Sequence, residues 1–365
     1  MSIISGVLSK NKLDYEKSKW REAFNATALA TLPFRKYGQD LGWTTNNVGK
    51  IVSNSSGLPR DAWDLGIYGG SVVQNADGTF TMLYRAYSTN GDSGPAIAES
   101  TDLYQWTKPV LNDVTHTAAQ GGDDTSNNNL IIYHGPQYGG TDLQLIDGTY
   151  YLLMHSPDSG LLYSSTDGRD FSTYLGEVVD RDQAIRGGYF EPKSFLACDP
   201  GHYVFTSEGH ADVGDGVNVQ PSGGRRSISR RYSSTGIAGS YTDLGLIPEF
   251  TCDDNPNRQF YDFQAWEYPL GSGVVWACVP IYNYSTDRLG PLELWRSNDR
   301  MVTWEFQRNM LYNGAIGGVW DFGLVNVGRP LLVNGRWQLI YGGRNDLHWD
   351  WDVNVSQTSF GLASI

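Results

Sequence analysis

The stretch YGGSVVQNADGTFTMLY, residues 68–84, decides the fold, because it returns 70 positions later as YGGTDLQLIDGTYYLLMH, residues 138–155. A longer copy pairs WDLGIYGGSVVQNADGTFTMLYRA from Trp63 with WDFGLVNVGRPLLVNGRWQLIYGG from Trp320, and Asp64 to Gly78 and Asp321 to Gly335 both span fourteen positions. Each copy is a short strand, a DG or NG tight turn whose glycine accepts positive φ, and a second strand rich in aromatic and apolar residues. That is the pattern of a β-hairpin.

A second phrase recurs downstream of the hairpins. STDLYQW (100–106), STDGRDF (165–171) and SNDRMVTW (297–304) share a Ser-x-Asp turn followed by an aromatic. Asp102 and Asp167 are 65 positions apart and Asp167 and Asp299 are 132 apart, two steps of 66, so a middle copy is expected near residue 233. There RYSSTGIAGSYTDLG (231–245) offers a degenerate version. These aspartates are read as structural, since an Asp side chain accepting from the next backbone amides is what such a turn needs. Unit starts near 64, 138, 187, 262 and 321 give five units of about four short strands each. Repetition at this spacing predicts an all-β chain, a five-bladed β-propeller over residues 61–365. Residues 1–60 are expected to form an N-terminal arm with one helix over 14–30, its Tyr15, Trp20, Phe24 and Leu29 partly on one face.

Composition agrees. The 365 residues include 12 Trp, 22 Tyr, 13 Phe and 43 Gly, with only 18% charged residues, a balance that favours strands and turns over helices. The formal charge of −13 argues against nucleic acid and anionic membranes as partners, because phosphate backbones are bound by basic patches. Cys198, Cys252 and Cys278 are an odd number at wide spacing, so they read as small buried apolar residues, not as a disulfide framework or a metal site. The opening MSIISGVLSKNKLDYEKSKW has no apolar core behind a basic stretch, so no secretory signal is expected, and no apolar run is long enough to span a membrane. The expectation is a cytoplasmic protein, or one carried in a virus particle.

In a propeller the innermost strands line a central funnel, and three carboxylates lie where they can reach it: Asp64 before the first hairpin, Asp142 within the second, and Glu191 in GYFEPKSF. A carboxylate pair is what glycosidic cleavage requires, one group protonating the leaving oxygen and the other activating water or attacking the sugar. A third nearby can raise the acid's pKa. Trp and Tyr would supply platforms for sugar rings.

On these residues the chain resembles the five-bladed β-propeller glycosidases of glycoside hydrolase families 43 and 32 and relatives such as families 117 and 130. The resemblance covers roughly residues 60–360. GGTDLQLIDGTYYL matches the spacing of the second-blade phrase, which implies that Asp142 tunes and orients the acid, and FEPKSF puts Glu191 in the place of the general acid. The first blade departs: the family's general base falls on Gly69, followed by Gly70, so Asp64 is a displaced candidate for base or nucleophile. Asp321 occupies the matching WDxG place in the last blade. The sucrose-type phrases of family 32 are absent. The resemblance implies a glycosidase, tilted toward inversion, that takes a carbohydrate substrate and requires no cofactor, although a calcium or sodium ion in the central channel is compatible with it.

Around these, Arg186, His155, His210, Trp266, Glu267, Asp321 and Arg344 are the candidate substrate-binding residues, the histidines being candidates for a channel ion as well. HWDWD near 348–352 lacks EF-hand spacing. The competing expectation is a non-catalytic glycan-binding or structural propeller, for example a virion or tail component. It is motivated by Gly69 and by an arm that could serve docking or homo-oligomerisation.

Overall fold

The computed structural model describes residues 2–32, 34–36, 50–53, 66–87, 93–111, 129–132, 139–156, 159–180, 187–198, 201–210, 224–252, 254–255, 257–313, 321–348 and 358–365. One helix, α1 (Ser2–Thr31), precedes two short strands, β1 (Arg35–Lys36) and β2 (Lys50–Ser53). It begins twelve residues before the expected start at 14, a stretch whose Gly, Ser and β-branched residues hide a helix from propensity reasoning.

Five antiparallel sheets follow. The first blade is β3 (Gly66–Gln74), β4 (Phe80–Tyr87), β5 (Ser93–Ser100) and β6 (Trp106–Thr107). The second is β7 (Gly139–Ile146), β8 (Thr149–His155), β9 (Ser159–Ser165) and β10 (Thr173–Asp180). The third is β11 (Gly187–Cys198), β12 (Gly201–His210), β13 (Gly224–Ser233) and β14 (Thr242–Leu246). In the fourth, β15 (Arg258–Phe260) and β16 (Gln264–Glu267) share the inner edge of β17 (Val275–Asn283), followed by β18 (Arg288–Ser297) and β19 (Glu305–Leu311). In the fifth, β20 (Gly323–Val327) and β21 (Leu331–Val333) share the inner edge of β22 (Arg336–Arg344), followed by β23 (Thr358–Ser364). The sequence repeats therefore mark blades, and the chain is a five-bladed β-propeller.

The last blade is completed from the other end of the chain. Arg35 and Lys36 pair with Ser364 and Ala363, and Lys50, Val52 and Ser53 pair with Gly361, Phe360 and Ser359. Strands of two and four residues carry too little pattern to be read from sequence, so these lay inside the expected arm.

Five apolar cores separate neighbouring blades. Leu83, Ile97, Leu143 and Leu152 pack between blades one and two, and Leu153, Leu162, Phe195 and Val204 between two and three. Phe205, Ile228, Phe263 and Trp295 join three to four, while Trp266, Trp276, Leu324 and Trp337 join four to five. Val72, Met82, Ile340 and Phe360 join five back to one, which closes the ring. Gly328 and Gly70 touch at that seam: a Cβ on Gly328 would lie 2.5 Å from the Gly70 carbonyl oxygen, so no larger residue fits there without moving backbone.

The Ser-x-Asp turns are structural. Asp102 Oδ1 accepts from the Tyr104 and Gln105 amides at 2.8 Å each, and Asp167 Oδ1 accepts from Arg169 and Asp170 at 2.9 and 3.0 Å. Asp299 accepts from the Thr303 amide and hydroxyl. The degenerate copy begins at Ser233, where Thr235 stands in the Asp position and its amide donates to the Ser233 hydroxyl at 3.4 Å.

Among the described residues, the helix α1 docks on this frame near its C-terminal end. Leu29 is buried in the core between blades four and five, Trp337 donates to the Asn25 carbonyl at 2.9 Å, and Arg308 donates to the Leu29 carbonyl. One turn earlier, Trp20 and Phe24 are 75% and 69% exposed. Among the described residues no helix is long and apolar enough to cross a membrane.

Candidate functional site

Every described inner strand is interrupted at one level, and the interruption organises the site. Register shifts fall between Gly69 and Ser71, between Gly140 and Asp142, and between Pro192 and Ser194. In blade four the gap between β15 and β16 holds Tyr261, Asp262 and Phe263, and in blade five the gap between β20 and β21 holds Arg329. A bulge inserts one residue and breaks the alternation of faces. Residues before the interruption face one layer of the funnel, and residues after it form a second layer beneath.

The lower layer is a sealed polar hub centred on Asp142, which has no exposed surface. Its Oδ2 accepts from the Phe195 amide at 3.0 Å, from Gln144 Nε2 at 3.2 Å and from the guanidinium of Arg329. Its Oδ1 meets the Ser71 hydroxyl at 3.0 Å. Burial pushes this carboxyl upward, against the pull of Arg329, the Phe195 amide, Gln144 and Ser71. One carboxylate thus ties blades one, two, three and five together. Arg329 supplies the positive charge beside Asp142, and among the described residues no three His, Cys, Asp or Glu side chains converge as a metal site.

The upper layer draws titratable side chains from all five blades. Glu191 lies before the third-blade bulge, and Lys193, the bulged residue, places Nζ 2.6 Å from Glu191 Oε2. Burial would raise the Glu191 carboxyl, but Lys193, His155 and Arg85 more than offset it and hold the group well below the usual carboxylate range. Asp262 shows the reverse balance. Burial pushes it up to about 6, Lys193 and the Phe263 amide pull it down, and the charge on Glu191 pushes it further up. One lysine therefore acts on both a carboxylate held ionised and one whose pKa is raised to about 6.

Aromatic rings and arginines frame this pair. The guanidinium of Arg226 lies 4.3 Å from the Tyr261 ring centre, and Lys193 Nζ lies 5.4 Å from the same ring. His348 Nε2 shares a hydrogen bond with the Tyr261 hydroxyl at 3.1 Å; burial, Arg226 and Arg344 lower its pKa to about 2, so the imidazole is neutral. Tyr68 and Tyr87 meet edge to face at 5.4 Å, and Arg85 stacks 4.7 Å from the Tyr87 ring centre. Arg344 is held by Asp346 at 2.5 Å, by the carbonyls of Leu347 and His348, and by the Tyr68 hydroxyl at 3.5 Å. Room for Arg85 comes from Gly139 on the neighbouring blade, where a Cβ would lie 2.3 Å from Arg85 Cδ.

Of the residues expected from sequence, Glu191, His155 and Arg344 meet in this cluster. Asp142 is central but one layer below, because it falls one residue beyond the bulge. Trp266 is packed in the core between blades four and five, and Glu267 accepts from the Gly273 amide at 2.7 Å, closing the β16–β17 turn. Asp321 is ion-paired with Lys36, so it fastens β1. Trp266 and Glu267 are thus engaged in packing and in a turn, and Asp321 in an ion pair. Asp64 and Arg186 lie outside the described residues, as does the side chain of His210, whose backbone pairs with Gly187 and Gly224. At the place of the family's first-blade base stands Gly69, with φ +92°.

Sequence reasoning missed Arg85, Lys193, Arg226, Tyr261, Asp262 and His348. The usable signal was a charged residue inside an otherwise apolar or aromatic run, as in FEPKSFLAC and QFYDFQAW.

No protein-family model matches the chain, and no curated protein sequence matches it. Among solved structures, the chain is similar in fold to a thermostable family-43 glycoside hydrolase (TM-score 0.55, 10% identity, 81% of this chain and 88% of that one). It is similar to a GH62 hydrolase in complex with xylotriose (TM-score 0.55, 12% identity, 92% and 98%). An N-acetylgalactosamine deacetylase from F. plautii in complex with blood group B trisaccharide shares the fold as well (TM-score 0.53, 12% identity, 91% and 95%). The chain therefore has the fold of the five-bladed propeller glycoside hydrolases, and that fold carries other chemistry too.

Proposed function

We propose that the protein is a glycoside hydrolase that cleaves an oligo- or polysaccharide in the propeller funnel. The observation that carries this reading is the pair Glu191 and Asp262, placed on adjacent blades around Lys193, whose surroundings push their proton affinities in opposite directions. Such divergence is how two carboxyl groups divide acid and base work. Asp262 is the proton donor to the leaving oxygen, and Glu191 is the ionised partner that activates water or attacks the sugar. This differs from the roles expected from the family resemblance, because Lys193 holds Glu191 ionised and the oxygens of Asp142 are taken by the hub. Tyr261, Tyr68 and Tyr87 bring aromatic rings to the same cluster, residues of the kind that pack against sugars. The resemblance favours inversion, which proton NMR of the first-formed anomer reads directly.

A second reading, a propeller that binds a glycan without cleaving it, is favoured by Gly69, which brings no carboxylate to the first inner strand. Screening aryl glycosides and plant, algal and bacterial glycans separates the two. Turnover lost in both Glu191→Gln and Asp262→Asn, with unchanged melting, supports hydrolysis; turnover surviving both refutes the assignment.

A further inference from the structure

We infer that the outward face of α1, built from Lys17, Trp20, Arg21 and Phe24, is a docking surface for the acidic propeller of a second copy of this chain. The inference does not depend on the chemistry of the funnel and holds whether or not a glycan is cleaved there.

Helix periodicity sorts the described side chains of α1 into two faces. Positions three and four apart lie on one side, because each residue turns the chain by about 100°. Asn25 and Leu29 form the inner side. Leu29 is buried in the core between blades four and five. Asn25 is buried too, its carbonyl accepting from Trp337 and its side chain bonded to that of Tyr268. Trp20 and Phe24, one turn apart, lie on the far side of the helix, with Lys17 and Arg21 one turn apart beside them. All four are exposed, and Trp20 and Phe24 are among the most exposed large apolar side chains described. Single apolar residues on a surface need no explanation, but an aromatic pair flanked by cations on one helix face marks a contact surface. It suits a partner that is apolar in part and negatively charged.

The charge of the chain names that partner. The helix holds five Lys and Arg against three Asp and Glu, a net +2, so the rest of the chain carries −15. An acidic body keeps polyanions away, and it draws the basic helix of another copy. Size agrees. The 30 residues of α1 make a cylinder about 45 Å long and about 11 Å across. Half of its lateral surface is about 800 Å², which is what one partner contributes to a standard interface. A long helix owes its stability to packing more than to propensity, and a second body supplies packing for the face that the first leaves open. Reciprocal seating of two arms makes a twofold contact in which both copies use the same surfaces.

The test is sedimentation velocity of the full-length protein at low and at high salt. The expected result is a dimer, twice the 40.5 kDa of the chain, whose dissociation constant rises with salt. That constant should also rise at least about tenfold when Trp20→Ser is combined with Phe24→Ser, with melting temperature unchanged. Lys17→Glu combined with Arg21→Glu should weaken the dimer at low salt. A wild-type protein that stays monomeric, or a dimer that the aromatic double variant leaves as tight as wild type, overturns the inference. So does a dimer whose affinity is indifferent both to salt and to the charge reversal. If the aromatic variant unfolds, the charge-reversed one decides: a weakened dimer upholds the inference and an unchanged dimer overturns it. Flotation with phosphatidylglycerol vesicles is run on the same samples, and a monomer that floats with them identifies a membrane as the partner and overturns the inference.

Discussion

Replacing Asp142 by Asn puts a neutral amide against the guanidinium of Arg329 and turns a convergence of donors on Oδ2 into a mismatch, because an amide cannot satisfy the Phe195 amide, Gln144 and Arg329 together. Removing one partner of a buried ion pair costs about 3–5 kcal/mol, since the remaining charge is left without compensation. Unfolding entropy of about 2.1 cal/mol/K per residue, applied to 365 residues, converts that loss into a fall in Tm of about 4–7 °C. Differential scanning calorimetry of Asp142→Asn, Arg329→Met and the double variant measures it. The double variant should lose at least ~2 kcal/mol less than the two single losses added together, because the pair is removed as a unit. An Asp142→Asn protein that melts within 1 °C of wild type yet has lost turnover would refute this reasoning. It would mean that the carboxylate serves the chemistry of Glu191 rather than the closure of the ring.

Other outcomes follow from the upper layer. With Asp262 titrating at about 6 as proton donor, kcat/KM should fall as pH rises through that value, and Asp262→Asn should abolish turnover at every pH. The same group favours the folded state below its ordinary range, and that contribution is lost as pH rises through about 6, so Asp262→Asn should flatten the dependence of melting temperature on pH between about 4 and 6. Gly139→Ala should displace Arg85 and cost about tenfold to a hundredfold in kcat/KM with little change in Tm, a split that steady-state kinetics and calorimetry read together. Substituting Trp337 by Phe removes the donor to the Asn25 carbonyl and should destabilise the protein by about 1 kcal/mol, measured by urea titration.

The blades were legible because they repeat: the DG and NG hairpins and the Ser-x-Asp turns are local devices whose residues are dictated within a few positions. Even the degenerate third copy appears at Ser233 as the spacing required. The site was legible at Glu191, which stands before a bulge in FEPKSF, and at His155 and Arg344, which end the second strand of a hairpin. Lys193 and Asp262 occupy interruptions in the inner strands, and no alternation pattern says which way an inserted residue points. The same uncertainty of one residue carried Asp142 into the lower layer. Arg85, Arg226 and His348 reach the funnel from the second strand, the third strand and the segment after β22, so only the closed ring brings them to Glu191. Trp266 and Glu267 were candidates because they open the fourth blade, and they pack in the seam between blades four and five and close the β16–β17 turn.

The ring is fastened by strands about 300 positions apart in the sequence, and this sets a timetable for its birth. Strands β1 and β2 leave the ribosome early but pair with β23, made about 300 residues later. At roughly 5–20 residues per second, the first strand waits on the order of a quarter of a minute to a minute for its partner. For that time α1 and the edge of the first blade lack the surfaces of the fifth blade against which they pack, and Trp337, which receives Asn25 across 312 positions, does not yet exist. Blades one to four can form in order as they emerge, whereas the funnel acquires Arg344 and His348, and the hub acquires Arg329, only in the closing event. Assembly of the candidate site is therefore coupled to synthesis of the fifth blade: a nascent chain that stops before β20 would hold Glu191 and Asp262 without the fifth wall around them.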